Sequence, residues 1–409
     1  MGPITVFDKS FLHGLSPNES VWFDLLYMPV IVPIFFAETL ADLEKNNPER
    51  DPIKMVQEIA NKVPLASSVV NTHHKKLIIS ELLGQKIEIR GVPIKNGGIS
   101  FNSENKVGVY YKQSDEEEAF IRWKKRDFRE VERLYAKKWR NSLLTFNFDQ
   151  LSKNSEILFK KYSKPKDLSS VKKLVDTYMG QKENKDLIFT KALNYVPQSL
   201  WGEIIQRWNL MGSPYLYNFG LYTNYIIGLD LFFEFAYGAN LITKNKTNKF
   251  DLAYLYYLPF CKVFISSDKF HKRVVPLFIQ GDQSYINGEE LKLDLIKLNS
   301  YYSSFPDNIK KLGAFLIATY PPRESTYLTT KLWDKYLPAW RKQAPVNPFD
   351  VKLPKTNPKL LERLMRSKID ANTPAKKVNI TSQPDMMTVQ RIIPSKKGDW
   401  NLFPPDIKS

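Results

Sequence analysis

Residues 4–45, ITVFDKSFLHGLSPNESVWFDLLYMPVIVPIFFAETLADLEK, decide the fold. Ile4 to Phe7 is a short apolar run that ends at Asp8. Ser16-Pro17-Asn18 opens a helix through Trp22 and Leu26, because proline's fixed φ and missing N–H suit a first helical turn. Pro29 to Ile34 is a β-branched run, Val30-Ile31-Val32, bounded by prolines. From Phe35 to Lys45 the spacing turns helical, with Phe36, Leu40 and Leu43 on one face. Strand followed by helix, twice over, predicts an α/β sheet.

Outward from this stretch, the spacing predicts a helix over 51–62, a strand at Lys86-Ile87-Glu88-Ile89-Arg90 and a hairpin over 99–111 around Asn-Ser-Glu-Asn. Ser114 and Glu117 form a capping-box pattern ahead of one long helix, Phe120 to Asn141, with Phe120, Trp123, Phe128, Val131, Tyr135 and Trp139 on one face. Helices are expected over 150–180, 184–212 and 285–340, with an apolar aromatic block at 214–239 between them. Asp251 to Pro259 reads as a helix, Val263 to Ser266 as a strand, and Lys269 to Arg273 as a helical start. From Arg341 the last 69 residues hold nine prolines and a net charge of +8. A tail of that composition cannot bury a core of its own, and either drapes over the body or stays mobile.

The chain has 409 residues and a formal net charge of +17, with 43% hydrophobic and 13% aromatic content. That length provides for two or three domains with real cores. The single cysteine, Cys261, excludes an internal disulfide and any zinc site needing two cysteines, and its apolar setting reads as an inert core thiol. MGPITVFDKS has no secretory pattern, so a cytoplasmic protein is expected. The two most apolar stretches carry Asp24, or Asp230 with Glu234, which argues against membrane spans. Asp230 and Glu234 read as buried, partnered acids or a helix edge, with a contribution to the site as the alternative. A surplus of positive charge favours a polyanion partner. No phosphate-binding glycine loop of either common pattern occurs.

Four acids stand at positions that carry chemistry. Asp8 closes the first strand, Glu38 lies early in the helix after the second, Asp251 opens a later helix, and Asp268 follows the strand after it. In a parallel α/β sheet such positions converge on the crevice at the carboxyl ends of the strands. Carboxylates gathered there repel one another unless a divalent cation neutralises them, and oxygen-rich sites suit Mg²⁺ or Mn²⁺. A cation so held can activate water and clamp a phosphodiester.

In these motifs the chain resembles the PIN-domain nucleases. Val6-Phe7-Asp8-Lys9-Ser10-Phe11-Leu12 is similar to the family's first motif, and Glu38 in Pro33-Ile34-Phe35-Phe36-Ala37-Glu38 to its second acid. Asp251 and Asp268, 17 apart with Ser266 at the hydroxyl position, are similar to its third and fourth. Lys9 stands where the family often has Thr, and roughly 200 residues separate Glu38 from Asp251 where the family's domain is short. The resemblance implies a PIN-like parallel sheet flanked by helices, split into 1–48 and 248–340 by a mainly helical insertion, 49–247, with a basic extension, 341–409. It implies a metal-dependent endonuclease acting mostly on RNA, with Asp8, Asp251 and Asp268 as Mg²⁺ or Mn²⁺ ligands and Glu38 completing the shell or orienting water. Asp42, one helical turn beyond Glu38, stands in for it if Glu38 points away.

Lys9, at the same strand end, is a candidate phosphate contact. Arg122, Lys124, Lys125, Arg126, Arg129 and Arg133 form a candidate nucleic-acid face, the opposite face packing into the core. His73 and His74 read as a solvated turn, and His271 as a helix-surface residue, with a phosphate contact near the site as the alternative. Free nuclease activity harms a cell, so control by the insertion, a protein partner or a homo-oligomer is expected, and a role in stress response or anti-phage defence fits at that level. The competing readings are a non-catalytic nucleic-acid-binding or assembly subunit and a peripheral membrane protein using the basic tail.

Overall fold

The structure, a computed structural model, describes residues 2–45, 50–95, 97–103, 106–144, 155, 158–243, 245, 247–350, 386–389 and 391–405. Its centre is a five-stranded, all-parallel sheet of β1 (Ile4–Phe7), β2 (Met28–Ile31), β3 (Val69–Val70), β6 (Val263–Ser266) and β7 (Ser284–Asn287), in the order β3-β2-β1-β6-β7. β1 is central, with Val6 opposite Val30 on one side and Phe264 on the other. The chain winds outward from β1 through β2 and β3, then returns to the other side of β1 as β6 and β7. The direction of winding therefore reverses between β1 and β6, and the carboxyl ends of those two strands border the crevice where open α/β sheets bind ligands.

Local chemistry explains the elements around this point. Ser16 caps the Pro17–Leu26 helix in a full capping box with Glu19, and Pro17 sits in its first turn as expected. The Pro33–Leu40 helix follows β2 directly and ends in a 3₁₀ turn at Ala41–Glu44. Phe7 packs edge-on against both Phe23 and Phe35, at centroid distances of 5.3 and 5.2 Å, which fastens the Pro17–Leu26 and Pro33–Leu40 helices to one face of β1. Each such buried ring contributes about 1.5–3 kcal/mol relative to exposure. One large apolar core joins the sheet to the 49–247 stretch: Phe120, Tyr222 and Phe232 belong to the same buried cluster as Val6 and Phe264, while Trp333, Trp340 and Ala344 form a small second one.

The structure departs from expectation in several places. β3 has two residues and β7 only half-buried ones, too short or too mixed to stand out by pattern. β3 also comes from the 49–247 stretch, so that stretch supplies an edge of the central sheet. Residues 86–90 alternate like a strand but form none, since no neighbouring strand takes up their backbone groups. The 99–111 hairpin forms as β4 (Ile99–Ser103) and β5 (Lys106–Tyr111), with β8 (Met386–Val389) parallel to β5. Parts of the expected 150–180 helical stretch and all of 351–385 lie outside the described residues.

The expected long helix is two, Asp115–Lys124 and Glu130–Leu144. Between them Arg126 takes a left-handed conformation at φ 60°, with Arg126 N–H on Trp123 C=O and Asp127 N–H on Arg122 C=O. That is the bonding of a Schellman stop, with Arg where Gly is usual. The single apolar face breaks with it. Phe120 and Trp123 are buried, whereas Val131 and Tyr135 are 66% and 43% exposed.

The end of the tail drapes over the body. Lys397 Nζ lies 3.1 Å from Asp24 Oδ2, both groups almost fully buried, and it also donates to the carbonyls of Ser20 and Val63. Asp24 in turn accepts the N–H groups of Leu65, Ala66 and Ser67. Trp400 packs edge-on to Trp22 at 4.6 Å. Breaking a buried pair by deleting one partner leaves an uncompensated charge, so Lys397→Ala is expected to cost about 3–5 kcal/mol in urea unfolding. A loss below about 1 kcal/mol would show that the latch is not needed.

Candidate functional site

Asp8 follows β1 and caps the Lys9–Gly14 helix, its Oδ1 accepting Phe11 N–H at 2.9 Å. Asp268 follows β6 and caps the Lys269–Val274 helix, its Oδ1 accepting the N–H groups of Phe270 and His271. Both acids are therefore helix caps, and both stand at the reversal point of the sheet. The third helix begins at Asn248, three residues ahead of the expected start, which places Asp251 within its first turn. Glu38, near the end of the Pro33–Leu40 helix, accepts a 2.6 Å bond from Tyr254 OH, one turn along from Asp251. Asp8, Glu38 and Asp268 are near enough to Asp251 for their charges to act on it.

Their electrostatics show the same grouping. Burial raises the Asp251 carboxyl from 3.8 to about 8; the charge of His271 opposes the rise, while those of Asp268, Glu38 and Asp8 add to it. Burial also raises Glu38, against the pull of Lys9 and Tyr254. Asp8 moves the other way. Burial works against its charge, but the bond and charge of His271 and the hydroxyls of Ser266 and Ser10 hold it below the usual carboxylate value.

His271 is the residue sequence reasoning misplaced. It is fully buried, not on a helix surface. Nε2 lies 2.7 Å from the backbone carbonyl of Asp251, so it carries a proton. Ser266 Oγ donates its only hydrogen to Asp8 Oδ2 at 2.6 Å and accepts Asp268 N–H at 2.9 Å. The 2.7 Å contact between His271 Nδ1 and Ser266 Oγ therefore needs a proton on Nδ1 as well. The ring is an imidazolium: burial alone would lower it, but the bond to Asp8 and the charges of Asp8 and Asp251 raise it to about 9. One side chain thus ties together the elements carrying Asp8, Asp251 and Asp268. The signal in the sequence was its place three residues after a strand-end Asp.

Lys9 is not a phosphate contact. It is buried, lying 2.5 Å from Asp42 Oδ2, 4.0 Å from Glu38 Oε1 and within bonding distance of the Glu38 carbonyl. With Lys45 also on Asp42, that acid is a partner of lysines and does not replace Glu38. Asp230 and Glu234 are partnered, by Lys249, Tyr195 and Tyr256, and by Lys191. Cys261 is buried and free, its thiol pushed up to about 12 by burial, as an inert core thiol requires. His73 is exposed and caps the His74–Leu82 helix, while His74 reaches Tyr257 OH, so the pair is no simple solvated turn.

The basic residues divide. Lys125, Arg129 and Arg133 are exposed. Arg122 is taken up by Glu132 through both terminal nitrogens, and Arg126 Nε bonds Gln57. Lys124 is half-buried, which lowers its amine to about 8 together with the nearby charge of Lys397.

A divalent cation placed beside these acids would meet oxygen donors. Among the described residues no group of three or more His, Cys, Asp or Glu side chains could hold an ion. Among the same residues, neither oxygen of Asp251 nor Oδ2 of Asp268 takes a hydrogen bond. Two open carboxylates fit Mg²⁺, which keeps several waters and binds one or two protein carboxylates rather than a full protein cage. No helix among the described residues is long and apolar enough to cross a membrane. Compared with protein-family models, curated proteins and solved structures, the chain finds no match in any of the three.

Proposed function

We propose that the protein is a divalent-metal-dependent endonuclease that hydrolyses phosphodiesters, RNA before DNA. The observation that carries this reading is the Asp251 carboxyl: desolvated, without a hydrogen bond among the described residues, and facing three other acids at the reversal point of a parallel sheet. Asp251 and Asp268 would hold Mg²⁺ or Mn²⁺, with Asp8 beside them through its remaining lone pair on Oδ1. When bound, such a cation polarises a phosphate and lowers the pKa of an attacking water. Glu38 would orient that water. His271 and Ser266 fix Asp8 and the start of the Lys269–Val274 helix, so the acids keep their places against mutual repulsion. The preference for RNA, control by an assembly partner or a second copy, and a role in stress response or anti-phage defence rest on the resemblance to PIN-domain nucleases.

The test incubates the full chain with labelled single-stranded RNA and DNA in Mn²⁺ or EDTA, beside Asp8→Asn and Asp268→Asn. Cleavage in Mn²⁺ is expected, abolished by EDTA and reduced at least 100-fold by either substitution, the scale of one lost charge-stabilising group. Metal-dependent cleavage that survives both substitutions would falsify the site assignment.

One observation favours a second reading, a non-catalytic nucleic-acid-binding subunit. His271 and Lys9 already supply internal positive charge to Asp8, Asp42 and Glu38. Binding of RNA without cleavage in any metal would select that reading.

A further inference from the structure

A cavity of about 310 Å³ lies between the Pro33–Leu40 and Glu130–Leu144 helices, walled by Phe36, Leu40, Val131 and Tyr135, with Glu116 at its edge. Phe36 and Leu40 are four residues apart and share one helical face, while Glu38 sits between them on the opposite face. The cavity therefore backs onto the acidic crevice across a single helix, about 10–12 Å wide with its side chains. Tyr135 is 43% exposed and Val131 66%, an unusual amount of apolar surface for a helix that also carries exposed Arg129, Arg133, Lys137 and Lys138. Lys138, seven residues beyond Val131, shares the face of Val131 and Tyr135, whereas Arg129, Arg133 and Lys137 do not. Apolar walls with one cation beside them match a nucleotide, whose base is flat and apolar on its faces and whose phosphate is anionic. Duplex bases are stacked and cannot enter such a space.

The edge of the cavity adds a chemical choice. Glu132 is committed to Arg122, Trp123 Nε1 and Arg129 N–H. Glu116 is half-buried and takes no hydrogen bond among the described residues. An ionised carboxylate only accepts, so it pairs with the exocyclic amine of adenine, cytosine or guanine. Uracil presents two carbonyls flanking its one N–H and is disfavoured there.

We propose that this cavity receives one unstacked base of a single-stranded nucleic acid, stacked on Tyr135 and read through its exocyclic amine by Glu116. The proposal rests on the nucleic-acid reading above and deepens it.

The experiment measures fluorescence anisotropy of labelled ten-nucleotide oligo(rC), oligo(rA) and oligo(rU), and of an RNA duplex, with the full chain in EDTA. Oligo(rC) and oligo(rA) are expected to bind at least tenfold tighter than oligo(rU) or the duplex. Tyr135→Ala should weaken oligo(rC) about tenfold and Tyr135→Trp should keep it, which separates stacking from misfolding. Glu116→Gln should erase the preference over oligo(rU) while leaving oligo(rU) affinity in place. Equal binding of all four probes, no binding, or no effect of Tyr135→Ala on oligo(rC) overturns the proposal. Asp268→Asn serves as the separate control. If it loses cleavage but keeps the base preference, both readings hold, and loss of the preference alone in Tyr135→Ala leaves the nuclease reading untouched.

Discussion

Asp251→Asn is expected to make the fold more stable at pH 7 while removing the proposed activity. The carboxyl of Asp251 is raised from 3.8 to about 8, so the folded protein holds a proton there that the unfolded chain has lost. Folding stability therefore falls as pH rises from about 4 to about 8, because the native state binds more protons than the unfolded one. An amide of the same shape is neutral without taking up a proton, so it escapes the cost that burial and the charges of Asp268, Glu38 and Asp8 impose on the carboxyl. Allowing for its partial exposure, the gain at pH 7 is about 2 kcal/mol. It should appear as a higher urea midpoint with an unchanged slope, and shrink toward zero at pH 4. A cation bound to the native state stabilises by mass action, so millimolar Mn²⁺ should narrow the gap by raising the wild type. An Asp251→Asn protein less stable than wild type at pH 7 contradicts the electrostatic account.

His271→Ala is expected to produce the largest loss of stability among the site substitutions, about 3–5 kcal/mol, the cost of removing one member of a buried ionic network. It leaves the Asp251 carbonyl without its donor, Ser266 Oγ without one of its three partners, and three acids without the cation beneath them. The pH signature differs from that of Asp251. His271 is raised from 6.5 to about 9, so its contribution is complete below about 6.5 and disappears as pH rises through about 9. The wild type should accordingly lose stability between those values, and His271→Ala should lose much less over the same window. A cost under about 1 kcal/mol, or an unchanged pH profile, shows that the imidazolium does not hold the acids together.

The sequence made the centre of the fold legible and left its margins obscure. β1, β2 and β6 are buried β-branched and aromatic runs followed at once by helices, so their pattern and their chemistry agree. Asp8 and Asp268 were legible for a related reason: a carboxylate at a strand end that also caps a helix is fixed by local bonding, within three residues of its own position. Lys9 and His271 were not. The first stands beside a strand end like a phosphate contact, yet the 3₁₀ turn after the Pro33–Leu40 helix brings Asp42 to it. The second acquires its role only when three elements, far apart in the chain, close around one ring. Likewise Val131 and Tyr135 follow the period of a buried face, but the left-handed turn at Arg126 resets the helix and exposes them. Two residues of β3 carry no period at all.

Binding of Mn²⁺ to the full chain, followed by the loss of the free-ion electron paramagnetic resonance signal, tests the cation site most directly. At pH 7.5 the wild type is expected to take up Mn²⁺ at a site that Mg²⁺ displaces and that Asp251→Asn weakens at least tenfold. Uptake that is identical in wild type and Asp251→Asn, or no uptake at millimolar Mn²⁺, contradicts a metal-dependent site at these acids.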